Sequence, residues 1–444
     1  MKFNMDSQTY KDLNVFSSSS DADALFNIFK LTNTIGGREK IHEMMYNPLT
    51  DIHVINSRKE AIKYYYDHNI SLKLSRERLD LADHYLKHNK TFLKRNIIDS
   101  FYDFASHKLN PSNDYYIISI GITSILKLIK DISEFLAIMP AVNAPQYLVD
   151  MSTRIITLLT SAPLKESVLP DADKLRFHHI SKLDGVFRGI GKSQISEILQ
   201  CIYELDAFET LAYVARKRGF SFPEYTATAD LKLELNGLFH PSIENPISND
   251  VSVDKQNNMI FLTGSNMAGK SSLLKSIGIA VYLAHIGFPV PCTYMKTSIF
   301  SGLMTTINLP DDINKGLSHY YSEVKRVKQA ASLLNDHDNM FIIFDELFRG
   351  TNVKDAYDGS LLIISALTAI RNSAFFISTH IVELAEELKK FENIAFKYLD
   401  VYFKDKKPVF TYSLKEGVST ERLGMYIVQN EGIIELIQRA SKAI

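Results

Sequence analysis

The chain has 444 residues, 45% of them hydrophobic and 23% charged. That composition excludes large-scale disorder and gives enough apolar mass for two domains. A formal net charge of −1 argues against a uniformly basic nucleic-acid binder and leaves room for a local basic groove.

Taken in chain order, residues 1 to 20 read as a polar tail ending in Ser17-Ser18-Ser19-Ser20, without the apolar stretch of a signal peptide. From Asp21 to about Gly219 apolar residues recur three and four apart, as in Leu25, Ile28, Phe29 and Thr32, so this span is expected to be helical. Helix breaks are expected at Asn110-Pro111-Ser112-Asn113 and between Pro140 and Pro145. Tyr115 to Ile129 is the most apolar early stretch; with Lys127 inside it and Lys130 and Asp131 after it, it is too short and too charged to span a bilayer. Near Phe222-Pro223 the pattern changes. Leu231 to Leu235 alternates like a half-buried strand. Met259 to Thr263, Ile299 to Thr305, Met340 to Phe344 and Ala374 to Ser378 are short apolar runs separated by helical stretches, among them Ser276 to Val290. Such alternation implies a largely parallel sheet layered with helices. Ile394 to Phe403 and Val409 to Leu414 read as an antiparallel edge, and Thr420 to Ile444 as a helical tail. Cys201 and Cys292 are too far apart in sequence to form a metal-spaced pair, and fit buried thiols in a reducing, cytoplasmic setting.

Three strand ends carry chemistry. Gly264-Ser265-Asn266-Met267-Ala268-Gly269-Lys270-Ser271 fits the phosphate-loop pattern G-x-x-x-x-G-K-[ST], between an expected strand and an expected helix that continues through Ser272. Its glycines let backbone N–H groups curl round phosphate oxygens, and the helix N-terminus adds positive potential. Lys270 is placed for the β- and γ-phosphates of ATP, and Ser271 for Mg²⁺. A glycine-rich turn with a surface lysine satisfies the same pattern, so the downstream residues decide. Met340 to Phe344 delivers Asp345 and Glu346 at a strand end, where parallel sheets bind ligands. Asp345 suits the metal, and Glu346 suits polarising the attacking water. Phe375 to Thr379 then delivers His380, which is either a structural histidine or a γ-phosphate sensor.

These segments resemble the ATPase of the DNA mismatch repair MutS family. The resemblance rests on the Asn-Met of the phosphate loop, on Asp345-Glu346-Leu347-Phe348-Arg349-Gly350-Thr351 and on Ser378-Thr379-His380. It rests too on Asp311 to Glu323, similar to that family's signature loop, and on Phe410-Thr411-Tyr412 to Gly417 with Arg422-Leu423-Gly424. Upstream, Thr34 to Arg38, Asn47 to Asp51, Ile55, Arg58 and Glu204 to Phe208 are similar to its helical core domain, and Phe239-His240-Pro241 to the entry of its ATPase. The resemblance implies a P-loop NTPase of ABC type with a mostly parallel sheet (231–444), preceded by an all-α core or lever domain (21–230). It also implies Ser318 reaching across a homodimer to the partner's nucleotide, a dimerising helical tail, ATP and Mg²⁺ as ligands, and DNA as partner. Departures qualify this. About twenty residues precede the core, so a wedge domain for mismatches is not expected, and the span between Ala61 and Asp206 is short, so the clamp is expected to be absent or reduced. Phe348 and His319 replace smaller residues. The family's adenine-stacking aromatic falls near Pro246 or Ile247. Basic clusters at Lys87 to Arg95 and Arg216-Lys217-Arg218 read as solvated helix faces or as phosphate contacts. The leading expectation is an ATP-driven dimeric switch on DNA, with no membrane association. The alternatives are a switch that binds protein partners without DNA, and a small-molecule kinase, which has no use for a signature loop.

Overall fold

The computed structural model describes residues 2–16, 23–88, 92–93, 113–138, 143–165, 171–226, 230–265, 267–307, 319–404, 407–419, 432–434 and 437–438. The chain divides into two compact units: Ile28–Tyr46 with Ser57–Lys217, and Met1–Asn27 with Asn47–Asn56 and Arg218–Ile444.

The first of these is helical, built on Ile35–Tyr46, Arg76–Leu86, Asn113–Ile138, Gln146–Thr160, Phe177–Asp184 and Lys192–Arg218. The last helix buries Leu199, Ile202, Leu205, Phe208 and Leu211 at three- and four-residue spacing. Its Asp206 is buried and accepts hydrogen bonds from Asn33 N, Thr34 N and Thr34 Oγ1 at 3.2, 3.0 and 2.6 Å. A second buried group pairs Asp184 with Arg188 at 2.6 Å, and Tyr85 Oη donates to the same carboxylate at 2.9 Å. Both carboxylates are fully partnered, which is the condition for burying charge at tolerable cost. No described helix of the chain is long and apolar enough to cross a membrane.

The other unit is an α/β fold with two sheets. Its strands are β1 (Glu224–Tyr225), β2 (Lys232–Leu238), β3 (Asn249–Asp254), β4 (Met259–Thr263), β5 (Tyr294–Thr297), β6 (Gly302–Thr306), β7 (Met340–Asp345), β8 (Ala374–Ser378), β9 (Ile394–Lys404) and β10 (Lys407–Glu416). The six-stranded sheet runs β10-β9-β4-β8-β7-β6, parallel except for β10. Every residue of β4, β6, β7 and β8 is buried. Continuous apolar runs of this kind are what a parallel sheet covered on both faces requires. One face packs Phe261, Ile342, Phe344, Phe375 and Ile377 against the helices His319–Asp336 and Val353–Leu367. The smaller sheet, β1-β5-β2-β3, is mixed. Its β3 and β5 were not anticipated from the sequence.

Three expectations need correction. The apolar stretch from Ser276 is helical only to Ala284, within the helix Lys270–Ala284; a left-handed turn at Gly287 then redirects the chain into a bridge between Val290 and Ser221. Ile299 to Ser301 lie outside β6. The third concerns the polar tail: residues 2 to 16 are folded onto the sheet. Asn4 bridges Gly302 on the edge strand, a short helix follows at Ser7–Asp12, and Phe3, Leu13 and Val15 are buried. The segment looked like a tail because its buried Thr9 and Asp12 are polar; each is satisfied by hydrogen bonds to β6.

Candidate active site

Between β4 and the helix Lys270–Ala284 the backbone takes positive φ at Gly264 (141°), Met267 (75°) and Gly269 (98°). Gly269 is required twice over, since a Cβ there would also lie 3.1 Å from Tyr412 Cδ1. Lys270 is buried and donates from Nζ to the carbonyls of Gly264 (2.7 Å) and Ser265 (3.1 Å), at the mouth of the loop. Burial holds its ammonium below the ordinary lysine range, against the charges of Glu346 and Asp345. Ser265 Oγ is buried with no hydrogen-bond partner among the described residues, a donor facing the space a phosphate occupies in such loops. Asn266 lies outside the described residues.

The strand ends next to it supply the acids. Ser271 Oγ donates to Asp345 Oδ2 at 2.5 Å, and Ser378 Oγ donates to Asp345 Oδ1. Asp345 thus links the phosphate loop to β7 and β8. Glu346 follows in a left-handed conformation (φ 62°), with its N–H bonded to Ser378 O at 3.0 Å. Its Oε2 lies 2.8 Å from Arg349 Nε and 3.5 Å from His380 Nδ1. His380 is the largest influence holding this carboxyl below its usual value; burial opposes it and the Arg349 charge adds to it. Phe348 is also left-handed (φ 61°), its buried ring 5.6 Å from that of Tyr320 and against Gly359. Two non-glycine residues with positive φ within three positions mark a strained turn at the Glu346 carboxylate.

The phosphate loop opens into a cavity of about 750 Å³, walled by Phe239, His240, Ile247, Met267 and Tyr412 as well as by Glu346 and Arg349. Pro246 and Ile247, where spacing puts the family's aromatic, do line this cavity. Neither is aromatic. Tyr412 is the side chain the sequence reading missed. It sits on a bulge of β10 between Phe410 and Leu414, with φ 54°. Asn249 pins that bulge, donating to Tyr412 O (3.0 Å) and accepting from Leu414 N (2.7 Å).

Gly264, Ser265, Met267, Ala268, Gly269, Lys270, Ser271 and Ser272 therefore form one loop and helix start, and Asp345, Glu346 and His380 meet it from β7 and β8. Ser272 faces the cavity. Ser318, Lys94, Arg95 and most of 420–444 lie outside the described residues. In the basic clusters, Lys87 pairs with Asp83 at 2.5 Å, Arg216 stacks on Tyr66 and Lys217 on Tyr213. Among the described residues no three His, Cys, Asp or Glu side chains are grouped to hold a metal.

Comparison with known proteins agrees with this geometry. The family profile of MutS domain V matches residues 260–444. Residues 260–444 are similar to a MutS domain V. That matched stretch contains the phosphate loop, the Asp345-Glu346 strand end and the His380 strand end. The DNA mismatch repair protein MutS of Pseudothermotoga lettingae is 28% identical over 255 residues, covering 56% of this chain and 31% of that protein. That of Fusobacterium nucleatum is 31% identical over 254 residues, 55% of this chain and 28% of its own length. The mouse MutS protein homolog 4 is 29% identical over 244 residues, 52% of this chain and 25% of its own. The match thus spans less than a third of the length of each of these relatives.

Proposed function

We propose that the chain is a Mg²⁺-dependent ATP hydrolase of the MutS family, working as a homodimeric switch on DNA in a repair-related role. The observation that carries the reading is the meeting of Lys270, Ser271, Asp345, Glu346 and His380 at the ends of three adjacent parallel strands. Lys270 faces the β- and γ-phosphates, and the N–H groups of 264–272 cradle them. The Ser271 hydroxyl and Asp345 carboxylate are hard oxygen donors of the kind Mg²⁺ takes, and the lack of a larger described cluster suits an ion that completes its shell with phosphate and water. A Mg²⁺ ion held there would neutralise charge on the phosphates. Glu346 accepts a proton from the attacking water; Arg349 and His380 keep it ionised and aimed. Tyr412 offers its ring to the adenine in place of Pro246 or Ile247.

Ser318 acts from the partner subunit in this reading. Mixing a Ser318→Arg protein with a Lys270→Ala protein leaves one of the two sites of a mixed dimer free of both lesions. Part of the activity is then expected to return; two inactive proteins that stay inactive on mixing contradict the dimeric site. DNA contact is expected through phosphates, including Lys94 and Arg95, with binding that falls steeply with salt. The second reading, a switch on protein partners without DNA, draws support from the net charge of −1 and from the local pairing of Lys87, Arg216 and Lys217. Undetectable binding to matched, mismatched and branched duplexes at low salt selects it.

A further inference from the structure

The N-terminal segment is wired to the turn that carries Glu346. Asp6 caps the helix Ser7–Asp12, its Oδ1 accepting from Thr9 N (2.9 Å) and Thr9 Oγ1 (2.7 Å). The same carboxylate receives the Arg326 guanidinium as a fork, with Nη1 on Oδ2 and Nη2 on Oδ1 (3.2 Å). Arg326 Nη2 also donates to Thr305 O at 2.6 Å, so the fork ties the helix His319–Asp336 to β6 as well. Asp12 fixes the end of β6 from the other side, accepting from Thr305 Oγ1 (2.7 Å) and Ile307 N (2.9 Å).

One turn before Arg326, on the same helix, stands Glu323. Its carboxylate accepts from the backbone N–H of Arg349 (3.2 Å) and of Gly350 (3.4 Å), in the strained turn after β7. Arg349 in turn holds Glu346 through its side chain at 2.8 Å. Glu323 and Arg326 are 5% and 6% exposed. Charged groups this deeply buried and held by several hydrogen bonds each have little freedom to move singly. A shift of the helix along its axis displaces both ends of the relay together.

We infer that residues 2–13 are a positioning element of the ATPase, in which Asp6 sets Arg326, the helix carries that placement to Glu323, and Glu323 sets the 346–350 turn so that Glu346 is aimed at water. This rests on the reading of Glu346 as the hydrolytic base. Asp6 touches neither the cavity nor the phosphate loop, so its loss acts on turnover and spares nucleotide binding. Within the fork the Asp6 carboxyl is held at about 2: burial raises it, and the hydrogen bonds and charge of Arg326, with those of Thr9, outweigh burial.

The test uses the full chain and five proteins: wild type, Asp6→Asn, Glu323→Gln, the double variant, and Asp6→Glu as the conservative control. ATP affinity is measured by calorimetry and kcat by phosphate release. Each single variant is expected to bind ATP as wild type does and to lose roughly tenfold in kcat, the scale of one charge-assisted hydrogen bond. The double variant is expected to lose no more than the worse single one, because both lesions cut one relay. Asp6→Glu restores part of the turnover. Full kcat in Asp6→Asn overturns the inference. Multiplying losses in the double variant, or affinity and kcat falling in parallel, do so too. If Asp6→Asn does not fold, Arg326→Lys, which keeps charge and loses the fork, is read the same way. Wild type that neither binds nor hydrolyses ATP overturns the parent reading instead.

Discussion

The two ends of the cavity are built differently. The phosphate end is one contiguous loop plus two neighbouring strand ends, in which the buried Lys270 is bonded to the loop carbonyls and the buried Asp345 to Ser271 and Ser378. The base end is assembled from Phe239 and Ile247 before β4 and from Tyr412 on a bulge near the end of the domain, and its Ile247, Met267 and Tyr412 are exposed. Phosphate recognition needs backbone N–H groups in one curvature, so it dictates a local sequence. A base needs only a flat apolar surface, which can come from anywhere that reaches. The phosphate end is thus expected to govern whether ATP binds and turns over, and the base end only how tightly it binds.

Mutations can break that comparison. The largest effect is expected from Lys270→Ala. It removes the one buried cation at the loop, and tight ATP binding should vanish, a loss of at least about a hundredfold. Calorimetry that finds near-normal affinity would remove the phosphate end from its leading role. A smaller effect is expected from Tyr412→Ala. Loss of one ring–base stack weakens ATP by roughly five- to a hundredfold while kcat stays within a factor of about two. Tyr412→Phe should bind as wild type does, and GTP should gain on ATP little if stacking alone is used. A drop in kcat equal to that of affinity would mean that the bulge shapes the catalytic end as well.

The smallest effect concerns acid. The folded-state value of Asp6, about 2, lies below the ordinary 3.8. The stability its ion pair contributes is therefore in place above about pH 4 and is lost as pH falls toward 2. Asp6→Asn should lower Tm slightly at pH 6, on the order of a degree or two, and the gap should close as the scan moves below pH 4. A gap that widens with acidity would show that the Asp6 carboxylate is not ion-paired in the folded state.

The same contrast decides what the sequence made legible. β4, β7 and β8 announced themselves as unbroken apolar runs because both of their faces are covered. β3 carries an alternation, Val251 and Val253 buried between polar neighbours, but two apolar residues flanked by Asn and Asp look no different from a polar loop. Tyr412 could not be placed, since the bulge interrupts the two-residue period from which a face would be read. Residues 2–16 were hidden for another reason. Their burial is achieved partly by Thr9 and Asp12, whose partners lie some three hundred positions away, and no local pattern reports a partner at that distance.

The central claim is that Glu346 acts on water in a site that binds ATP without it. The most direct measurement mixes stoichiometric ATP and Mg²⁺ with wild type and with Glu346→Gln, and follows bound nucleotide and released phosphate together. Binding of ATP by both proteins, with release slowed by roughly two to four orders of magnitude in the variant, is the predicted result. Equal release from the two proteins, or no bound nucleotide in wild type, would contradict it.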